Sequence, residues 1–212
     1  MNLARPINEE KRQERRSCIL KEAVVLFAEN GYSNTTTALI AQRVGVTAGT
    51  IFQYFPSKEA LFNAAVLEPL ADIQEKSLAC LKQEGTPGVL IKNMVEEQFN
   101  HIYCYTNELR LVQYVLGQRI RFPELTQKVL ESTKVMTDTI ECVYAKGQLM
   151  GEFNKNFSPA MISRAYISFL NGIGLTLGES IIHHPEWGNL KEHALYLFAP
   201  TQPKKMRGNL NE

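Results

Sequence analysis

Residues 35–62 limit the fold of this chain more than any other segment, because they predict two short helices joined by a tight turn and followed by a third helix. The apolar residues of this segment recur at helical spacing on two faces that meet at an angle. Gly45 falls in the turn, where a left-handed backbone favours glycine. Thr47 and Ser57 stand where the next two helices need an N-cap. The apolar set consists of Ile40, Val44, Val46, Ile51 and Phe55.

The outer face of the second short helix carries small or uncharged polar side chains, whereas a face that meets only water usually carries Lys and Glu. Small side chains allow close approach to base edges, and hydroxyl and amide groups can bond to bases and phosphates. A helix pair of this kind is a helix-turn-helix, whose second helix enters the major groove of DNA. We expect phosphate contacts from Thr36, Thr47, Thr50, Tyr54 and Lys58. We expect the base edges to be faced by Thr37, Ala48, Gly49 and Gln53.

Residues 16–62 resemble the DNA-binding domain of the TetR family of bacterial transcriptional regulators. Phe52 stands where the family most often has tyrosine, and Ala48 stands where a longer polar residue is common. Leu39 replaces a residue that is usually charged, so the operator sequence stays open. Beyond Phe62 only the length and the helical pattern agree with the family. The matching residues are Arg16, Ile19, Ala23, Phe27, Ala28, Gly31, Tyr32, Thr35, Thr36, Ile40, Ala41, Gly45, Val46, Thr47, Gly49, Thr50, Tyr54, Phe55, Pro56, Ser57, Lys58, Glu59 and Leu61.

The rest of the pattern predicts an all-α chain with a three-helix amino-terminal domain and a carboxy-terminal helical bundle. We expect a helix-turn-helix domain over 1–62, an effector-binding and dimerisation domain over 63–199, and a mobile tail over 200–212. The first helix should run from about Glu9 to Asn30, after a flexible arm, with Gly31 as its C-cap. Pro69 should bend the helix that connects the two domains. The further helices are expected at 57–84, 89–105, 109–117, 123–150, 159–182 and 186–198.

The charge of the chain argues against general coating of nucleic acid and is compatible with site-specific DNA binding. The net charge of all 212 residues is only +1, and strong non-specific binding needs many cations. Residues 1–60 hold eight basic and six acidic side chains, a net charge of +2. A site-specific dimer needs only a local positive surface.

Cysteine usage and hydropathy favour a protein of the reducing cytoplasm. No two cysteines form a CxxC pair, so we interpret them as reduced thiols. The longest uncharged apolar run, residues 165–178, falls short of the roughly 20 residues that a bilayer span needs, so no membrane partner is expected. The cysteines are Cys18, Cys80, Cys104 and Cys142.

Reading a near-palindromic operator requires a two-fold dimer. The glycine-containing segment 169–178 and the helix after it are the best candidates for the dimer surface, because glycine within a helix costs roughly 1 kcal/mol and calls for a packing reason. In the resembled family, the last two long helices form a four-helix bundle across the dimer axis. The alternative is a tight crossing inside one chain. The expected interface residues are Gly172, Gly174, Leu175, Gly178, Ile181 and Leu195.

The resemblance also implies an effector pocket in the second domain. Aromatic and methionine side chains with few charges are typical of apolar pockets. Each of these residues could instead fill the core, and the sequence leaves that alternative open. The candidates are Met94, Gln98, Phe99, Ile102, Tyr103, Tyr114, Met136, Ile140, Tyr144 and Phe169.

The chain shows no pattern typical of catalysis or of metal binding. It lacks a Gly-x-Ser-x-Gly sequence, a phosphate loop and a dinucleotide fingerprint. His183, His184 and His193 would meet only if the last helices fold back, and the sequence does not decide whether they converge. Imidazoles at a helix carboxyl end, where the dipole favours them, are the alternative to a metal site. We expect no metal, no cofactor and no enzyme activity.

We therefore expect a homodimeric transcriptional repressor on the bacterial nucleoid, in the cytoplasm, bound to a near-palindromic double-stranded DNA operator. A small apolar or aromatic effector would release it from that operator. Two alternatives from other classes remain. One is a DNA-binding structural or cell-division factor on the same fold, without a ligand. The other is a helical enzyme with a vestigial DNA domain.

Overall fold

In a computed structural model of the chain, residues 4–101, 105–176 and 187–201 are described. Within these ranges the chain forms nine α-helices and one isolated antiparallel bridge between Phe153 and Pro200. The all-α prediction is confirmed. The helices are α1 (Ala4–Asn34), α2 (Thr37–Val44), α3 (Ala48–Tyr54), α4 (Lys58–Leu81), α5 (Pro87–His101), α6 (Thr106–Gly117), α7 (Pro123–Leu149), α8 (Pro159–Thr176) and α9 (Trp187–Tyr196).

The first helix begins earlier than the sequence pattern predicted. The expected start at Glu9, after a flexible arm, is wrong, because α1 begins at Ala4. As predicted, Gly31 interrupts the helix, because its backbone leaves the helical conformation with φ 73° and ψ 172°. Thr35 then fastens the turn that follows, because its hydroxyl group donates to the carbonyl oxygens of Leu26 and Gly31, 3.0 and 2.9 Å away.

The caps of the next three helices follow the sequence pattern. The Thr36 hydroxyl accepts from the N–H of Leu39 at 3.1 Å, and the Thr47 hydroxyl accepts from the N–H of Thr50 at 3.2 Å. Ser57 caps α4 in the same way. Gly45 adopts the left-handed conformation, with φ 73° and ψ 35°, which closes the turn between α2 and α3.

Two apolar clusters form the core, and α4 contributes to both. The first, which we call the head cluster, joins α1–α4 to α6 and α7 around the buried Phe62 ring. Its partners from the later helices are Leu111, Val112, Val115, Leu125 and Val129. The second, the body cluster, joins the carboxyl end of α4 to α5, α7, α8 and α9. The expected boundary between the two domains therefore falls within α4, and this one helix packs in both clusters.

Proline marks the starts of the long helices of the second domain. Pro87, Pro123 and Pro159 each occupy the first residue of a helix, where proline costs no hydrogen bond. Pro69 lies inside α4, which continues to Leu81. The first two residues of the expected mobile tail, 200–212, are bonded to the rest of the chain: Pro200 pairs with Phe153 in the isolated bridge, and the Thr201 N–H donates to the carbonyl oxygen of Glu152 at 2.8 Å. The remaining tail residues, 202–212, lie outside the described ranges.

Candidate nucleic-acid interface

The outer face of α3 presents hydroxyl groups to solvent. Thr47 is exposed and Thr50 is half-buried, and their Oγ1 atoms lie 2.9 Å apart. On the opposite face, Ile51 is buried and anchors the helix in the head cluster. The Thr47 oxygen already accepts from a backbone N–H, and a hydroxyl group in this position can still donate to a phosphate oxygen.

The residues expected to face base edges occupy the same side of the head. Gly49 and Gln53 are exposed on α3, and Ala48 is half-buried beside them. Thr37 is half-buried at the first residue of α2, next to the exposed cap Thr36. The small side chains of Ala48 and Gly49 leave the amino-terminal half of α3 open to close approach.

Phe52 is an exposed aromatic residue on this face that the sequence analysis did not include among the DNA contacts. Its side chain is 48% exposed, although it is large and apolar. A spacing of three residues places it on the same face of α3 as Gly49. Its helical position was the signal that could have identified it.

The Lys58 side chain folds back onto the protein surface, whereas a phosphate contact requires it to extend into solvent. Its Nζ atom is 4.4 Å from the centroid of the Tyr32 ring. Partial burial, together with the nearby Arg121 guanidinium, lowers the pKa of Lys58 below its usual value. Arg121 itself donates to the Ser33 hydroxyl at 2.8 Å. A phosphate contact by Lys58 therefore needs its side chain to extend away from the Tyr32 ring.

Arg16 packs against the carboxyl end of α3, the helix expected to contact base edges. Its guanidinium bonds to both carboxylate oxygens of Glu68, with Nη1 and Oε2 2.8 Å apart. The guanidinium carbon lies 4.8 Å from the centroid of the Phe55 ring at the carboxyl end of α3. Arg16 thus connects α1 to α4 and packs on the residue that ends α3.

Aromatic contacts join the head to α6 and to the turn before α7. The Phe62 ring packs edge-on against Tyr32, with centroids 4.9 Å apart, and lies tilted against Phe122, with centroids 5.2 Å apart. The Tyr114 hydroxyl accepts from the N–H of Tyr32 at 3.3 Å. A displacement of α6 would therefore change the contacts at the carboxyl end of α1.

The second domain contains a small cavity between α4, α5, α6 and α8, with a volume of about 70 Å³. Among the candidate ligand residues, Gln98 lines it. Tyr114 does not join this group, because it packs against Gly31 and Tyr32 in the head region. The described residues around the cavity are Ile73, Lys76, Ser77, Glu97, Gln98, Tyr105, Leu109 and Leu170.

The other candidate ligand residues in the described ranges belong to the body cluster. Five of them are buried and one, Phe169, is half-buried, so the structure brings them together as core. Ile102 and Tyr103 lie outside the described residues. The buried five are Met94, Phe99, Met136, Ile140 and Tyr144.

The expected dimer residues are described only in part. A Cβ atom added at Gly172 would meet no atom of the described residues within 4 Å. Leu195 is half-buried and packs against the body cluster. Gly174 and Leu175 lie in α8, but the surroundings of these two residues are not described. Gly178 and Ile181 fall outside the described ranges.

The described part of the chain holds no group of three His, Cys, Asp or Glu side chains arranged for a metal ion. His193 bonds through Nδ1 to the carbonyl oxygen of Asn189 at 2.7 Å, and His183 and His184 are not described. Cys18, Cys80 and Cys142 are free thiols. None of the described helices combines the length and the hydropathy of a membrane span.

Comparison with known proteins places this geometry among DNA-binding regulators. Residues 19–65 match the family model for bacterial regulatory proteins of the tetR family. The chain is 25% identical over 161 residues to the HTH-type transcriptional regulator UidR of Escherichia coli K12, an alignment that covers 76% of this chain and 80% of that protein.

Solved structures share the fold over nearly the whole chain. A putative transcriptional regulator from Saccharomonospora viridis, in complex with choline, has a TM-score of 0.74 and 19% identity. The alignment covers 90% of this chain and all of that one. AibR, in complex with isovaleryl coenzyme A and operator DNA, has a TM-score of 0.72 and 15% identity, covering 88% of this chain and 100% of that one.

Proposed function

Because this chain is a DNA-binding transcriptional regulator of the TetR family, we propose that it is a homodimeric repressor that leaves its operator when a small effector binds in its helical body. The proposal includes a cytoplasmic site of action on the bacterial nucleoid and no catalytic role. The observation that carries it is the outer face of α3, where hydroxyl, amide and small side chains stand open to solvent on a rigidly capped helix.

The DNA contacts divide by chemistry. Thr36, Thr47 and Thr50 donate hydroxyl hydrogens to phosphate oxygens, which fixes the register of the head on the duplex. Gln53 bonds to a base edge, where a bidentate amide is worth about 1–3 kcal/mol of discrimination. Tyr54 and Lys58 add backbone contacts, and Thr37, Ala48 and Gly49 border the base edges. These assignments are proposals that rest on exposure and helical position.

The exposed face of α8 supports the dimer. Spacings of three and four residues place Met161, Ala165, Ser168 and Gly172 on one face, and the first three are exposed. Small side chains along such a face let a second helix approach closely. An operator with two half-sites requires that a dimer formed across α8 and α9 hold its two α3 helices about 34 Å apart, or at a multiple of that distance.

The cavity in the second domain supports a response to a ligand. Ser77 of α4 and Leu109 of α6 both line it, and both helices also pack against the head cluster. A ligand that prefers one arrangement of these helices would shift the spacing of the two heads, and that preference is the whole of the switch. The structural relatives bound to choline and to isovaleryl coenzyme A are consistent with a small-molecule effector on this fold.

We further propose that Phe52 contacts a thymine methyl group. An apolar ring on a face that otherwise carries polar and small groups gains from burial against the C5-methyl in the major groove. Gly49, one turn earlier, leaves room for that approach. Phe52 would then favour thymine at one position in each half-site.

The test compares two variants on two kinds of DNA. An operator is first selected from random duplexes with the full-length protein, and affinity is then measured on that operator and on a scrambled duplex. Gln53→Ala should weaken binding to the operator and leave the scrambled duplex unchanged, while Lys58→Ala should weaken both and lower the salt dependence by about one ion. Equal effects of both variants on both duplexes would contradict the assignment.

A further inference from the structure

A directed chain of hydrogen bonds crosses the body beside the cavity. The Ser77 hydroxyl donates to the carbonyl oxygen of Ile73 at 3.0 Å. Its oxygen must then accept from its other partner, and Gln98 Nε2 supplies that hydrogen at 3.0 Å. The amide of Gln98 is thereby oriented, with Oε1 turned to Tyr166.

Tyr166 completes the chain as a donor. Its hydroxyl bonds to Gln98 Oε1, an atom that can only accept. The side chain is fully buried, and burial raises the pKa of Tyr166 far above its usual range, so the hydroxyl group keeps its proton. The hydroxyl hydrogens of Ser77 and Tyr166 are therefore both used in hydrogen bonds within the protein.

One polar hydrogen remains on the amide of Gln98. An amide nitrogen carries two hydrogens, and one of those on Nε2 goes to Ser77. Across residues 4–101, 105–176 and 187–201, the second has no acceptor, and Gln98 lines the cavity. The second N–H of Gln98 can therefore donate to a ligand in the cavity, provided that the ligand carries a hydrogen-bond acceptor.

The rest of the cavity favours an uncharged and largely apolar ligand. Ile73, Leu109 and Leu170 supply apolar walls. The two charged side chains that line it, Lys76 and Glu97, are of opposite sign. The Lys76 ammonium is already held by Asp72 Oδ2 at 2.8 Å and by the Tyr105 hydroxyl at 2.7 Å. A ligand with a full charge would lose hydration and find little compensation.

We propose that the effector is a small apolar molecule with one uncharged acceptor, a carbonyl oxygen, which accepts from Nε2 of Gln98 in this cavity. This inference rests on the proposed function and gives it a ligand class. The cavity measures about 70 Å³, about half of the roughly 150 Å³ of a closed cavity that holds benzene. Because Lys76 at its edge is exposed, a ligand of about six non-hydrogen atoms would fill the cavity and extend towards its open side.

The test uses two probes of nearly the same shape. Cyclopentanone carries the carbonyl oxygen, and methylenecyclopentane replaces it by an apolar methylene group. Binding of each to the full-length protein is measured by ligand-observed NMR, and the ratio of the two dissociation constants is compared between variants. This ratio is insensitive to a general loss of stability, because both probes use the same cavity.

The central variant is Gln98→Glu, with Gln127→Glu on the exposed face of α7 as its matched control. A glutamate keeps an acceptor for Tyr166 but has no hydrogen left for a ligand, whether it is ionised or donates its one proton to Ser77. The preference for the ketone should fall about tenfold in Gln98→Glu and stay unchanged in Gln127→Glu. Leu170→Phe, which fills the cavity, should abolish the binding of both probes.

The outcomes separate this inference from the function on which it rests. Loss of ketone preference only in Gln98→Glu supports it. An unchanged ratio in that variant, or cyclopentanone that fails to bind the wild type or still binds Leu170→Phe, overturns it. Operator affinity is measured on the same samples without probe, so a failure of DNA binding is recognised independently of the cavity.

Discussion

The hydroxyl group of Tyr114 accepts a hydrogen bond from the backbone N–H of Tyr32, 3.3 Å away, and this bond joins the amino-terminal head to α6. The ring of Tyr114 lies 3.5 Å from the place where a Cβ atom at Gly31 would be. The break in α1 and the position of α6 are therefore linked through two adjacent residues. Any effector that moves α6 has a direct route to the head.

Gly31→Ala should destabilise the protein. At φ 73° and ψ 172° the backbone of Gly31 adopts a conformation that residues with a Cβ atom rarely take, and strain of this kind costs about 1–3 kcal/mol. Urea unfolding of the full-length protein measures the loss. Gly117→Ala is the matched control, because an added Cβ there meets no atom within 4 Å and should leave stability unchanged or raise it. Equal stabilities of the two variants would contradict the assigned strain.

Gly172→Ala should weaken the dimer without disturbing the fold. Among the described residues, no atom lies within 4 Å of the added methyl group, and alanine favours a helix over glycine by about 1 kcal/mol. If α8 packs closely on a second copy at this point, the methyl group must separate the two helices. Sedimentation velocity should then show a dissociation constant raised about tenfold or more, at unchanged helix content. Unaltered dimer dissociation would remove Gly172 from the interface.

Phe52→Ala should remove the sensitivity of binding to one thymine methyl group. Each thymine of the selected operator is replaced in turn by deoxyuridine, which lacks that methyl. We expect one position in each half-site where this change weakens the wild-type protein about fivefold but leaves Phe52→Ala unaffected. Gln53→Ala, altered at the adjacent residue, should keep the sensitivity. If Phe52→Ala responds to deoxyuridine as the wild type does at every position, Phe52 does not read a methyl group.

Glu108→Gln should stabilise the protein near neutral pH. Burial raises the pKa of the half-buried Glu108 carboxyl above its ordinary value of 4.5, so the folded protein favours the protonated form. The contribution of Glu108 to stability is fully present below the pKa that this carboxyl has in the unfolded chain. It is lost as the pH rises through the higher pKa that Glu108 has in the folded protein. Because part of the carboxyl stays in water, we expect a gain of about 0.5–1 kcal/mol near pH 7 compared with about pH 4. Denaturant unfolding at both pH values measures it, and an equal effect at the two would contradict the assigned burial.

The local features of the head could be predicted from sequence because short-range rules govern them. The caps at Thr36, Thr47 and Ser57 and the turn at Gly45 depend on residues within four positions along the chain. The start of α1 at Ala4 was missed, because Arg, Pro and Asn near an amino end resemble an arm as much as a first helical turn.

Three further contacts that the sequence did not indicate join residues that are distant along the chain. Tyr114 was expected in the effector pocket, but it packs against Tyr32, 82 residues earlier. The Gln98 amide is oriented by Ser77 and by Tyr166, 68 residues later. The Lys58 ammonium lies over the ring of Tyr32, 26 residues earlier, a contact that its place in the sequence did not indicate. Helical periodicity reports which residues face inward, but it does not report which inward faces meet.

Dimethyl sulfate protection on the selected operator tests the central claim most directly, because the reagent methylates guanine N7 in the major groove and adenine N3 in the minor groove. We predict that the full-length protein protects guanine N7 in two patches, centred about one helical turn (roughly 34 Å) or a multiple of it apart. Protection of a single patch, or protection confined to adenine N3, would show that α3 does not enter the major groove of two half-sites.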